Sequence, residues 1–427
     1  MATRTSTAVP RQELMALLRA AKQQPEDDAP RLVLADWLEE HGGEGDLARA
    51  EFIRLQVLLG QLDPADPRRE PTLTRAGELL KQHRADWLGP LKALRGRAWH
   101  FERGLLHLEA EPRHLLGPPG QRLAAGEPAA WLERLVVRGV EDDGVGPLLA
   151  SPLARHATAL ALPNSGLGVL AARALADSPA LANLLALDLN YNHVGNGGAE
   201  ALADSPHLGR LRTLDLWINR VGARGAQALA RPQTLTQLRS LNLGGNALRG
   251  AGMAALADSP LLANVEAFLA WGNDVGLAGA QALASSHTAR RLRTLYLNEN
   301  RLGNKGVEAL MSWGQVAKLH LLSLWGNNLG PAGARAVAEA PLRELGVLLL
   351  NENHLGDEGA RALADSPNLG KVTKLDLHGN GVGDLGARAL LDSPNLPRLA
   401  DLDLSQNPIS EPLLKELRGR FPGLLPA

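Results

Sequence analysis

Twelve histidines and no cysteine bound the chemistry open to this chain of 427 residues. Without cysteine there is no disulfide, thiol nucleophile or thiolate metal site, which fits a reducing compartment. The histidines are scattered, and none has the HExxH spacing that puts two ligands on one helix face. Neither a GxxxxGK[ST] phosphate loop nor a GxSxG nucleophile elbow occurs, and the 45 glycines recur periodically, as turn residues do. The best acid–base candidates are Asp376 and Asp403, with Asp401 and His378 close by in sequence, and the pair Asp188 and Asp215. If their spacing stacks them on adjacent strands, the carboxylates sit about 4.8 Å apart, close enough to share a proton or hold a cation. They would face open water without a pocket, so a solvated acidic face is expected rather than a site. We expect no enzyme activity, no cofactor and no metal dependence of stability.

Interface chemistry is better represented. Trp217 in "LWINRVG", Trp271 in "LAWGNDVG" and Trp325 in "LWGNNLG" are 54 residues apart each time. Leu322 and Leu324 alternate like the buried face of a strand, so Trp325 should point at water. At two units per step the tryptophans would lie about 10 Å apart, with Gly244 and Asn298 leaving grooves between them. Leu269, Tyr296 and Leu349 occupy the preceding outward column, and Ile218 and Tyr191 lie just beyond. Aromatic residues make up only 3% of the chain, yet five of them fall here. Tryptophan and tyrosine anchor interfaces, so these eight residues are the expected protein-binding surface. If the indoles are exposed, truncating Trp271 should move stability by only about 0.5 kcal/mol. Two bland readings compete: duplication of units in pairs copied a tryptophan, or N-terminal helices cover the patch.

The elements that must position these residues come from a repeat. LxLxxN recurs with its asparagine at 192, 219, 246, 273, 300, 327, 353, 380 and 407, every step 27 residues except one of 26. "LALPNS" ends a further unit at Ser165, and "LVVRGV" around Val137 reads as a degraded first unit. The leucines alternate as in a strand; the alanine-rich half, such as "GARGAQALA", favours a helix that can pack closely. "ADSP" ends most helices, because proline cannot extend them. The pattern resembles the long, ribonuclease-inhibitor type of leucine-rich repeat. That resemblance implies an α/β fold: a right-handed solenoid, or horseshoe, with an inner parallel sheet of about ten strands and outer helices. It also implies that the asparagines pair buried main-chain groups rather than bind ligands. Phe268 beside Ala270 reads as a volume-conserving swap in the core.

Residues 1–115 carry no repeat. "RQELMALLRAAKQQ", "PRLVLADWLEE", "DLARAEFIRLQVLLGQL" and "LTRAGELLKQHRADWL" have helical apolar spacing, with Asp28 and Pro30 marking one start. "DDAPRLVLADWLEEHGG" with "AEFIRLQ" resembles the small α-helical repeat-companion domain of large-genome bacteria, and "WHFERGLLHLEAE" resembles its junction into the first strand. Trp37, Trp87, Trp99 and Trp131 are expected in the core here. The repeats should then run over 116–409, and 410–427 should form a C-terminal cap, with Ser410 and Pro412 opening a helix and Phe421 covering the last leucines.

Net charge is -1 and pI about 6.9, which gives no field for nucleic acid, and no apolar run is long enough to span a membrane. A cytoplasmic scaffold gripping a protein partner on the concave face is the expectation. The rival is a catalytic regulator, a GTPase-activating or enzyme-inhibitor protein, as the same repeat type implies, with Arg220, Arg249 or Arg301 reaching a partner's site. A structural spacer is the third reading. The oligomeric state is open.

Overall fold

The computed structural model describes residues 9–93, 98–116, 127–421 and 423–424. The chain divides into two compact units, Met1–Gly166 with Ser178–Asp188, and Leu167–Asp177 with Leu189–Ala427.

The first unit opens with four helices, α1 (Val9–Gln23), α2 (Ala29–His41), α3 (Glu44–Gln61) and α4 (Arg69–Leu88). Their apolar spacing places Leu14 and Leu18, Leu34 and Leu38, and Phe52 and Ile53 in the core. Asp28 does sit at the N-cap of α2, but its side chain does not cap; Asp27 Oδ1 takes the Ala29 N–H instead. Strands β1 (Trp99–Glu102) and β2 (Leu105–Ala110) then pair antiparallel, joined by Arg103 and Gly104. Both joining residues have positive φ, the twist that a two-residue hairpin demands. A Cβ on Gly104 would meet the Ile53 side chain at 2.3 Å, so the turn also needs glycine for space. From β2 onward the pairing is parallel, through β3 (Leu132–Val137) and β4 (Ala159–Ala161) to β5 (Ala186–Asp188).

Three buried cations hold this unit together. Lys22 donates to the carbonyls of Ala130, Leu132 and His156 at 2.7–3.2 Å, tying α1 to β3, and burial lowers its pKa to about 8. Arg31 pairs with Glu133 at 3.0 Å. Arg49 stacks 3.3 Å over Trp131, beside Trp87 and Phe101, and burial lowers its pKa to about 9. Trp87 and Trp131 are thus core residues, as their surroundings suggest. Trp37 and Trp99 are only half-buried, and Trp37 donates its indole N–H to Glu13.

The second unit holds strands β6 (Thr213–Asp215), β7 (Ser240–Asn242), β8 (Ala267–Leu269), β9 (Thr294–Tyr296), β10 (Leu321–Ser323), β11 (Val347–Leu349), β12 (Lys374–Asp376) and β13 (Asp401–Asp403). Each pairs parallel with the next, in register. This is the right-handed solenoid with one parallel sheet and a layer of helices. The central residue of every strand, from Leu214 to Leu402, is at most 1% exposed. The helices, such as Ala223–Leu229 and Gly276–Ala284, bury mainly alanine, leucine and a glycine that lets them approach. Phe268 and Ala270 are both fully buried.

Three stitches join successive units. The LxLxxN asparagines form a ladder. Asn300 Oδ1 accepts the N–H groups of Asn273 and Val275, and its Nδ2 donates to the carbonyls of Ala270 and Asn298. Ser165, in the first unit, replaces asparagine with a hydroxyl that accepts from Gly139 and donates to Pro163. A second ladder comes from the "ADSP" serines: Ser205, Ser259 and Ser366 donate to the carbonyls of Ala176, Ala230 and Ala338. The serine, as well as the proline, therefore explains that motif. Finally, Asn196, Asn304 and Asp357 each accept two N–H groups at the start of the next unit's helix. At the C-terminus the helix Glu411–Arg420 has Pro412 in its first turn, and Phe421 is buried. Ser410 makes no side-chain cap; its N–H goes to Asp384.

Asn300→Ala should lower unfolding free energy by at least about 2 kcal/mol, since it strands several buried main-chain groups. Chemical denaturation of the variant beside the parent chain measures this.

Candidate protein-binding face

Side chains alternate along each short strand, so the face opposite the helices carries the first and third strand positions, followed by the residue two beyond. The third position runs Asp215, Asn242, Leu269, Tyr296, Ser323, Leu349, Asp376, Asp403, each registered against the next. Two residues on come Trp217, Gly244, Trp271, Asn298, Trp325, Asn351, His378 and Ser405.

At both ends of this face the acidic or amide side chain has a local task. Asp215, Asn242, Asp376 and Asp403 each accept the N–H two residues ahead, on Trp217, Gly244, His378 and Ser405, at 2.8–3.0 Å. This Asx turn bends the chain out of the strand. The four middle units give up that acceptor and hold Leu269, Tyr296, Ser323 and Leu349 instead.

The tryptophans are half-buried, not the exposed ladder that alternation suggests. Nor does Gly244 leave a groove. It leaves room that Trp271 fills, since a Cβ there would lie 2.3 Å from Trp271 Nε1. The result is a continuous edge-to-face stack: Tyr191 to Trp217 at 4.6 Å, then Trp217 to Trp271 at 5.5 Å. Tyr191 is 43% exposed, while Ile218, Leu269, Tyr296, Trp325 and Leu349 are half-exposed. Ile218 lies over Gly245 with φ of 51°, a costly conformation for a β-branched residue. Around Trp325 the packing is more polar: Asn298 and Ser323 are buried, and Asn298 Oδ1, Ser323 Oγ and Trp325 Nε1 have no hydrogen-bond partner among the described residues.

The carboxylates of the C-terminal end are partly engaged. Lys374 pairs with Asp401 at 2.7 Å, which raises the lysine's pKa. Burial, then the neighbouring Asp403, raises that of Asp376. His378 Nδ1 meets Ser405 Oγ at 2.7 Å, and that hydroxyl donates to Asp403 at 2.6 Å. Serine sits in the middle of this chain of bonds, whereas a nucleophilic triad needs the imidazole there. Asp215 also accepts from Asn242, and Asp188 lies 4.0 Å from Arg134. Arg220, Arg249 and Arg301 are exposed and left-handed; Arg220 meets His193 and Arg301 meets Asp274.

The family model for the leucine-rich repeat matches residues 180–203, 234–257, 290–311, 347–364 and 371–391, stretches that fall on the repeating strand and helix. These stretches are leucine-rich repeats. No curated protein matches it. Among solved structures, the yeast complex of Rad7 and Elc1 contains a similar chain, with 19% identity and a TM-score of 0.50 over 92% of this chain and 88% of that one. An internalin (inlF) of Listeria monocytogenes aligns over 65% of this chain and 82% of its own, at 19% identity and TM-score 0.36. The Leptospira interrogans repeat protein LIC12759 aligns over 72% and 91%, at 19% and 0.35. No helix among the described residues is long and apolar enough to cross a membrane.

The half-burial of Trp271 changes what its loss should cost. Trp271→Ala removes one end of the stack and should destabilise by about 1–2 kcal/mol, roughly half the cost in a closed core. Gly244→Ala should push the indole outward and shift the Trp271 N–H resonance in a two-dimensional NMR spectrum. An unchanged resonance would mean that the ring does not occupy the glycine's space.

Proposed function

We propose that this repeat protein is a scaffold that binds a protein partner through the helix-free face of its sheet, on Tyr191, Trp217, Ile218, Leu269, Trp271, Tyr296, Trp325 and Leu349. One observation carries the reading. In the outer units the fold uses aspartate or asparagine to shape the turn after the strand, and in the middle units that aid is replaced by leucine, tyrosine and serine. A change that forfeits local bonds and leaves apolar side chains half in water needs a reason outside the fold. An aromatic stack with Asp215 beside it, and Asp376 and Asp403 at the far end of the face, suits an apolar segment with basic residues near it. That the similar yeast chain was crystallised as a complex fits a scaffold.

The 27-residue period supports the ribonuclease-inhibitor subtype, and residues 1–115 are proposed as a repeat-companion domain ahead of repeats 116–409 and the cap 410–427. A cytoplasmic location fits the lack of cysteine.

A partner cross-linked in the native host should be lost with Trp271→Ala and with Leu269→Asp, yet kept with Leu385→Asp, an exposed leucine on the helix layer. With the purified partner, Trp271→Ala should weaken binding by about thirtyfold to a thousandfold, as a central aromatic anchor does. Equal binding by all three variants would overturn the assignment of this face.

A further inference from the structure

The hairpin β1–β2 brings together residues that no spacing along the chain connects. His100 and His107 are cross-strand partners, their rings 4.8 Å apart, and Glu102 follows on the same face of β1 as His100. Glu102 Oε2 lies 3.3 Å from His107 Nδ1 and 4.0 Å from His100 Nε2. One donor atom from each of the three residues lies within 4.8 Å of the others. Ligands on a tetrahedral first-row cation, with bonds near 2.0–2.2 Å, stand about 3.3 Å apart, so small side-chain rotations suffice to close the set.

The other nitrogen of His107 is held from behind. Its Nε2 is 3.0 Å from Glu133 Oε2, and Glu133 is buried and fixed by Arg31. A neutral imidazole can donate one N–H only. Given to Glu133, it leaves the Nδ1 lone pair aimed at the Glu102 carboxylate, two acceptors face to face. A cation between them resolves that conflict, and a buried carboxylate on the far nitrogen is how proteins orient a metal-bound histidine. Two features oppose the site. Arg134 is close enough to help lower the pKa of His100, after burial and His107, and its charge repels a cation. The set also lies on an exposed hairpin.

We propose that His100, Glu102 and His107 form a binding site for one zinc-class divalent cation, with at least one coordination position open to solvent. The two-histidine, one-carboxylate donor set suits zinc or cobalt and is too nitrogen-rich for calcium or magnesium. Binding should take up one equivalent and raise the melting temperature, because the cation joins both strands of the hairpin.

The test is titration of the full chain with zinc by calorimetry, and with cobalt by visible absorption, at neutral pH. Glu102→Gln and His100→Ala alter exposed side chains and should keep the fold, which circular dichroism checks; each should weaken binding by at least about tenfold. The zinc-induced rise in melting temperature should vanish in both. Binding that survives unchanged in the double variant would place the metal on other histidines and overturn the proposal. So would absence of binding together with nitrogen NMR showing His107 protonated at both positions, since an imidazolium would then bridge the two carboxylates alone.

Discussion

A strand of three residues has too few hydrogen bonds to hold a sheet, so the asparagine ladder is what the second unit depends on. Each amide ties its own unit to the one before, its oxygen receiving N–H groups from the preceding unit and its nitrogen donating to carbonyls of the preceding unit and of its own. Such groups lie where water cannot reach, so each rung replaces a desolvation cost of about 1–3 kcal/mol with paired bonds. The ladder also sets the period. One turn of the solenoid must bring the next side-chain amide oxygen 3.0 Å from the backbone N–H of the last asparagine, and the step from Asn327 to Asn353 achieves this with 26 residues.

Because the ladder, the serine stitches and the buried leucines fix the backbone, the helix-free face is free to vary. The residue before each ladder asparagine is left-handed in units from Tyr191 to Gln406, which explains the glycines at 245, 272, 326 and 379. Ile218 accepts the same backbone at a strain of about 1–3 kcal/mol. Its side chain and Gly245 are then complementary, one leaning over the space the other leaves. Strain tolerated on an open face, beside an aromatic stack, belongs to the same pattern as the lost Asx turns.

Much of this was legible in the sequence, because repetition separates what the fold demands from what it permits. Leucine spacing gave the strands, alanine the helices, and the asparagines their buried role. What stayed hidden depends on contacts between units or strands. Nothing in the chain order shows that Gly244 makes room for Trp271, so half-buried indoles read as exposed ones. The serine of "ADSP" was hidden behind its proline, and Asn196 caps a helix in the following unit. In the first unit, which has no period to average over, the chain from Arg31 through Glu133 and His107 to Glu102 joins residues that meet only once the hairpin register is set.

The rhythm of the tryptophans follows from volume. Adjacent strands stand about 4.8 Å apart, too close for bulky side chains to lie edge-to-face on every rung without one moving aside. A glycine on the alternate rung lets Trp217 and Trp271 meet across it, and the stack continues to Tyr191. Between Trp271 and Trp325 the alternate rung is Asn298, a buried amide with volume of its own and an unpaired oxygen. The face therefore offers two different surfaces in sequence: a closed aromatic patch over the first units, then an indole set among buried polar atoms. Duplication of units in pairs would copy the tryptophan but also the residue between. The change from glycine to asparagine on that rung is thus a departure that duplication alone does not supply, and it lies where the apolar third positions are found.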